Sequence, residues 1–317
     1  MYRLAHVTDP HFRSFSGAHV GDFLGKRALG ALNLVVNRRR KHKMELLAML
    51  ADDLRGQNVD HLALTGDLSN VSLDAEWGEA LRWIEGLGRT PDAVTVIPGN
   101  HDAYVPEVVA RHAFETRFAD YQTADWAATD GAEAGAGAAA VDRGSYPFVR
   151  LRGPLALVAV NSCVATGDLG AWGEVGAPQL ARLEAALGSA ALASRVRVVL
   201  IHHPPCRLKG GEDRNLRDRA ALGEVLRRQG AALVLHGHDH RDEAAALDGP
   251  GGSSIPVVGA GSASYAGAPD RRARYNIYEL DGGEITLVTR AHDEATGAFR
   301  EARRIPLAEA ARGLSAG

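Results

Sequence analysis

The sequence predicts an α/β fold, with mixed β-sheet flanked by helices, and three observations lead there. Short aliphatic or β-branched runs alternate with longer amphipathic ones along the chain. Five small clusters of Asp, His and Asn each follow one of those apolar runs directly. At 317 residues, 45% hydrophobic and 24% charged, the chain is large enough to bury a substantial core as a single domain spanning 1–317.

The first predicted strand, Leu4 to Thr8, runs into Asp9-Pro10-His11. A helix is expected over Met44 to Leu54, then a strand over His61 to Thr65 that ends in Gly66-Asp67. The helix Ala75 to Leu87 and the strand Ala93 to Ile97 follow, and this strand ends in Gly99-Asn100-His101-Asp102. Apolar residues at three- and four-residue steps predict helix over Pro106 to Phe118. The Ala/Gly-rich run at 131–140 has no side chains able to pack, so 125–143 is expected to be a mobile loop.

Leu155 to Asn161 is the next strand, and Leu180, Leu183 and Leu187 mark the apolar stripe of a helix over Ala177 to Leu187. Val196 to Ile201 leads into His202-His203-Pro204-Pro205. After a helix over Asp218 to Gln229, the strand Ala232 to His236 leads into Gly237-His238-Asp239-His240. Ile255 to Gly259, Arg274 to Leu280 and Glu284 to Thr289 read as strands of a more antiparallel region, with Gly282-Gly283 as a hairpin turn.

A formal charge of −3 and a pI near 6.5 argue against a protein that coats nucleic acid through its overall field, and nucleic acid is not an expected partner. Cys163 and Cys206 stand apart, outside any C-x-x-C pair, and read as two free thiols, a usage that suits a reducing compartment. The first eight residues leave no room for a secretory apolar region before Asp9, and no stretch is apolar for long enough to span a bilayer. The expected location is the cytoplasm, with peripheral contact at the inner membrane surface as a further expectation.

Placed at strand ends, the five clusters can converge, because sites in α/β sheets form outside the carboxyl ends of strands. Carboxylate, amide oxygen and neutral imidazole suit first-row divalent cations, and there are too many of them for one ion. The clusters therefore predict a two-metal site. A carboxylate has two oxygens and can serve two cations at once, while an amide oxygen binds a cation without adding negative charge. Two such cations can acidify a shared water and clamp the attacking and departing oxygens of a displacement.

In order and spacing the clusters resemble the calcineurin-like metallophosphoesterase superfamily, whose signature runs D-x-H, G-D, G-N-H-[DE], H and G-H-x-H. The resemblance covers Asp9 to His240. It implies a four-layer sandwich of two sheets between helices. It implies one metal on Asp9, His11 and His240, a second on Asn100, His202 and His238, and Asp67 bridging both; manganese, iron and zinc all suit such ligands. It implies further that His101 faces the phosphate and stabilises or protonates the leaving group, with Asp102 orienting the imidazole or simply capping the following turn. Of the adjacent pair, His202 is the expected ligand and His203 an outer or substrate-facing residue, since strand alternation sends the two side chains to opposite faces. His236 is expected to be structural, and His6, His19, His42, His61 and His112 to be core or surface histidines.

Phe12 to Lys43 is longer than a compact strand-to-helix connection requires. Arg13, Lys26, Arg27, Arg38, Arg39, Arg40, Lys41 and Lys43 stand there against the single acid Asp22, with apolar residues between them. Leu29, Leu32 and Val36 would share one helical face. This basic, apolar insertion suits an anionic amphiphile or an anionic membrane surface, or else packs on the domain with its arginines solvated. It resembles, loosely and in composition only, the element covering the metal site of UDP-diacylglucosamine pyrophosphatases. Arg207, Lys209 and Arg214 add charge near the fourth cluster, where Glu212 and Asp213 are expected to pair with them.

The expected activity is hydrolysis of a phosphodiester or pyrophosphate by a hydroxide held between two metals. Cyclic nucleotide phosphodiesterase and lipid pyrophosphatase are the two substrate readings; a nuclease is weaker, and a non-catalytic, metal-stabilised phosphate-binding scaffold is the reading from another class.

Overall fold

The computed structural model describes residues 1–17, 26–33, 41–129, 132–133, 146–167, 170–206 and 212–313. The strands are β1 (Tyr2–Val7), β2 (His61–Thr65), β3 (Val94–Ile97), β4 (Trp126–Thr129), β5 (Ala132–Glu133), β6 (Phe148–Arg152), β7 (Leu155–Ala159), β8 (Val196–Leu200), β9 (Leu233–His236), β10 (Glu243–Asp248), β11 (Ser254–Gly259), β12 (Arg274–Asp281), β13 (Glu284–Asp293) and β14 (Ala298–Pro306). They form a six-stranded sheet, ordered β14-β13-β12-β1-β2-β3, and an eight-stranded one, ordered β10-β11-β9-β8-β7-β6-β4-β5.

Both sheets are mixed. The pairs β1/β2 and β2/β3 are parallel in the first, and β7/β8, β8/β9 and β9/β11 in the second, while the flanking pairs are antiparallel. Alternation along each strand divides its side chains between two cores. Leu4, Ala63, Ile97 and Tyr278 of the first sheet meet Leu157, Val198, Leu200 and Leu235 of the second in a central apolar layer. On the opposite face Ala5, Val7, Leu64 and Val96 pack under the helices Met44–Arg55 and Asp74–Gly86 through Leu47, Leu50, Leu54, Trp77 and Ile84. Val158, Val199 and Val234 pack under the helices Ala177–Gly188 and Arg219–Gln229 through Leu183, Leu187, Leu222 and Leu226. Helix, sheet, sheet and helix make the four layers.

The structure departs from the sequence reading where local chemistry overrides pattern. The helix expected over Pro106 to Phe118 is two helices, Pro106–Ala110 and Ala113–Arg117, because His112 turns the backbone left-handed at φ 48°. Part of the expected loop at 125–143 is strand: Trp126 and Ala127 extend the second sheet by pairing with Val149 and Phe148, while 130–131 and 134–143 lie outside the described residues. The strand β6 is masked in sequence by Arg150, which is buried and donates to the carbonyls of Pro91, Val94 and Tyr121. In the insertion the helix runs from Lys26 to Asn33; Val36 of the expected apolar face, with Arg38, Arg39 and Arg40, lies outside the described residues.

Candidate metal centre

The carboxyl ends of the parallel strands β1, β2, β3, β8 and β9 open on one edge of the sandwich, and each carries one cluster. The backbone there is unusual. Asp9, His11, Asp67, His238 and His240 all have positive φ, between 49° and 76°, a region that L residues other than glycine seldom adopt. Such strain persists where the surroundings over-determine it, and it is concentrated at functional sites. The glycines of the motifs let the loops approach. A Cβ on Gly66 would stand 2.5 Å from the Gly99 nitrogen, one on Gly99 would strike Asp67, and one on Gly237 would stand 2.5 Å from Asp9 Oδ2.

Two donor groups result, with one carboxylate between them. In the first, His11 Nε2 and His240 Nε2 are 3.0 Å apart, and Asp9 Oδ1 lies 3.3 Å from His240 Nε2 and 4.0 Å from His11 Nε2. In the second, Asn100 Oδ1 lies 3.1 Å from His202 Nε2 and 2.9 Å from His238 Nδ1. Asp67 faces both: its Oδ2 is 3.7 Å from His11 Nε2 and its Oδ1 is 3.4 Å from His202 Nε2.

Backbone carbonyls beyond these atoms set the tautomers. His202 donates through Nδ1 to Thr65 O at 2.8 Å, His11 through Nδ1 to Ser69 O at 3.2 Å, and His238 through Nε2 to Arg214 O at 3.0 Å. In each case the opposite ring nitrogen turns its lone pair toward the cluster, as a metal-ligating imidazole requires. Asp9 is anchored by one oxygen only, Oδ2, which accepts from Thr8 Oγ1 at 2.8 Å and from the His238 amide at 3.1 Å. Its Oδ1 is buried and has no hydrogen-bond donor among the described residues. A cation is the partner such an oxygen lacks. Burial by itself would raise the Asp9 carboxyl, but His240, His202 and the Thr8 hydroxyl hold it below the usual carboxylate range. Burial, reinforced by His203 and His202, pushes His238 well below the ordinary histidine value and so keeps it neutral, the form that binds metal. The residues present thus fit two divalent cations.

Two expectations change at this edge. Asp102 does not orient His101. Its Oδ1 accepts from the Ser69 amide, Ser69 Oγ and Trp77 Nε1 at 2.8–3.0 Å, and its Oδ2 from the amides of Leu68 and Gly99 at 3.0 Å. The carboxylate is a staple between the second and third loops. His101 is held instead by Asn70, whose carbonyl accepts from Nδ1 at 2.6 Å, while its ring stacks on Tyr104 with centroids 5.5 Å apart. His203 is not turned to substrate either: it is buried, with Nδ1 2.9 Å from Ser162 Oγ and Nε2 donating to Ala171 O at 3.1 Å. Both ring nitrogens are engaged within the protein, and the ring packs 4.5 Å from that of His238.

Other residues of this edge escaped the sequence reading. Ser262 Oγ donates to Asp9 O at 2.6 Å, and Ser262, like Ser162, follows a parallel strand at the same end of its sheet. That placement is the signal by which sequence points to either. His42 lies at the end of the insertion, yet its ring centroid is 4.8 Å from that of His11 and 5.3 Å from that of His240. No spacing in the sequence announces it.

The model of the calcineurin-like phosphoesterase family matches residues 2–242, which include every cluster. The chain belongs to that family. It is therefore a metal-dependent phosphoester hydrolase, in a family that is dinuclear. Among solved structures, a dimetal phosphatase from Danio rerio is similar with a TM-score of 0.59 at 13% identity, over 96% of this chain and 98% of that one. A purple acid phosphatase from yellow lupin (Lupinus luteus) is similar with a TM-score of 0.56 at 13% identity, over 95% of this chain and 52% of the lupin chain, so this protein spans about half the lupin enzyme. At such identities the likeness is one of fold. No curated protein sequence matches the chain.

Proposed function

We propose that Asp9, His11, Asp67, Asn100, His202, His238 and His240 hold two divalent cations, and that the enzyme hydrolyses a phosphodiester or pyrophosphate with water as co-substrate. One observation carries this reading: the carboxylate of Asp67 turns one oxygen to each of two separate donor groups. Two cations bound there would draw charge from the phosphoryl oxygens and acidify the attacking water. The chain's own residues do the rest. Asp9 and Asp67 supply the negative charge, and Asn100 with the imidazoles keeps the edge open to an anionic substrate. With Nδ1–H of His101 engaged by Asn70, Nε2 is the ring atom that passes a proton to the leaving oxygen. Mixed oxygen and nitrogen donors accept manganese, iron or zinc.

For the substrate we favour an amphiphilic pyrophosphate, with a cyclic nucleotide as the competing outcome. The support is where the insertion lies. Its helix packs so closely beside the catalytic edge that a Cβ on Gly30 would stand 2.5 Å from Tyr104 Oη, and Lys26 Nζ sits 4.6 Å above the Tyr104 ring that stacks on His101. Lys26 also donates to Thr166 Oγ1 at 2.9 Å, joining the third loop to the one after β7. Among the described basic side chains of the insertion, Arg13 donates to His42 O and Arg27 to the carbonyls of Val71 and Ser72, while Lys41 and Lys43 are exposed. We place peripheral contact with an anionic membrane, and a cytoplasmic location at its inner surface, within the same proposal. No helix among the described residues is long and apolar enough to cross a membrane.

The test is a substrate panel at fixed manganese, containing a UDP-linked diacyl lipid, a glycerophosphodiester, 3′,5′-cyclic AMP and an aryl phosphodiester, run on the natural chain and on Lys26→Ala. The proposal expects turnover of the lipid pyrophosphate, with KM raised by Lys26→Ala for that substrate and not for the aryl ester. Preference for the cyclic nucleotide would overturn the substrate class, and no turnover of any member would favour a binding scaffold.

A further inference from the structure

We propose that His42 is a further protein ligand of the cation assigned to Asp9, His11 and His240, an inference that rests on the two-cation reading above. One ring nitrogen from each of His11, His42 and His240 lies within 4.8 Å of the other two. These three imidazoles form a cluster that overlaps the group of Asp9, His11, Asp67 and His240 through two shared members. His42 is 4% exposed, so its ring is set inside the edge rather than lying on the surface.

The position of His42 is built. Its backbone forms an isolated antiparallel bridge with Tyr265, closed by Lys43 N–H to Ser264 O at 2.9 Å and Ala266 N–H to Lys41 O at 2.6 Å. Its Nδ1 lies 2.8 Å from Ser264 Oγ, and the edge of its ring meets Tyr265 with centroids 5.5 Å apart. The same loop fixes the first metal ligand, through Ser262 Oγ to Asp9 O at 2.6 Å and Ala263 N–H to Thr8 O at 3.0 Å. One short segment after β11 therefore sets both Asp9 and His42, which is how ligands from distant parts of a chain are held in register.

The chemistry suits a neutral donor. Asp9 and the bridging Asp67 already supply two negative charges, and a third imidazole adds a strong donor for a first-row cation without adding charge. The two positions become unequal. The first would have Asp9, His11, Asp67 and His240, with His42 drawn in beside the two imidazoles it already neighbours, while the second would have Asn100, His202, His238 and Asp67. The richer nitrogen set should make the first cation the tighter of the two. It also ties the insertion to the centre, because His42 ends that segment.

The experiment is a cobalt titration of the whole chain after chelator treatment, followed by competition with a chromophoric chelator and by the visible d–d bands. Wild type is expected to bind two Co2+. His42→Ala should weaken one of them by at least about tenfold, the scale of losing a partner in a metal's coordination environment, and alter its bands while leaving the other unchanged. His42→Gln, which keeps a polar side chain beside Ser264, carries the same expectation and serves if alanine prevents folding, as judged by circular dichroism. Wild-type affinities and bands in both variants would overturn the inference and leave the two-cation reading intact. Fewer than two Co2+ in wild type would overturn both.

Discussion

Replacing Asp102 by Asn separates a loop staple from a catalytic orienter. The carboxylate is 1% exposed and accepts five hydrogen bonds, three on Oδ1 and two on Oδ2. An Asn can keep its oxygen on the side of Ser69 and Trp77, but its NH2 group then faces the amides of Leu68 and Gly99, donor against donor. Two hydrogen bonds to a charged acceptor are lost, each worth about 1.5–3 kcal/mol, so the cost is on the order of 3–6 kcal/mol. At roughly 2 °C per kcal/mol for a chain of this size, Tm should fall by about 6–12 °C. The melt is measured with chelator present, so that metal binding does not add its own stabilisation. Because the staple joins the loops of Asp67 and Asn100, cation affinity should also drop, while metal-saturated Asp102→Asn keeps the shape of the wild-type pH–rate profile. A Tm within about 1 °C of wild type, a loss too small for two buried charged hydrogen bonds, together with a displaced pH–rate limb, would refute the staple and restore Asp102 as a partner of His101.

His101→Gln should lower kcat by about 10²–10⁴-fold on substrates with poor leaving groups and leave metal content unchanged by elemental analysis; a matching loss of metal would show that His101 acts through the cations instead. In Gly99→Ala the added methyl group strikes Asp67, so isothermal titration should show at least about tenfold weaker cation binding, and unchanged binding would mean that the loops have room to shift. Burial, partly offset by hydrogen bonds from the Val71 and Leu73 amides, raises Glu76 to about 7. A folded-state value above the unfolded one gives stability that is full below pH 4.5 and is lost as pH rises through 7. Glu76→Gln should therefore remove up to about 3 kcal/mol of pH dependence from urea unfolding of the apo-protein between pH 5 and pH 8; identical slopes for variant and wild type would contradict the assignment.

Most of the fold is legible in the sequence because buried parallel strands are short apolar runs closed by turn residues. His61–Thr65 is a strand over the span expected, and most other strands begin or end within two residues of it. The pattern is lost where a strand is not uniformly apolar. Arg150 conceals β6, and Glu243–Asp248 and Ala298–Pro306 are edge strands whose charged residues face solvent. The donor atoms around Asp67 could be anticipated because each belongs to a short cluster that holds a glycine or proline just past a strand. The supporting shell could not be. Asp102 lies next to His101 in sequence, yet its oxygens turn to amides more than thirty residues away. His42 reaches His11 only because a bridge to Tyr265 folds the end of the insertion back over the edge.

In the proposed mechanism Asp67 joins two cations in one hydrolytic site. Elemental analysis of manganese-loaded protein, taken with turnover of an aryl phosphodiester by wild type and Asp67→Ala, decides whether it does. Two manganese ions per wild-type chain, no more than one in the variant and loss of turnover are the predicted results. Two ions and undiminished turnover in Asp67→Ala would contradict it.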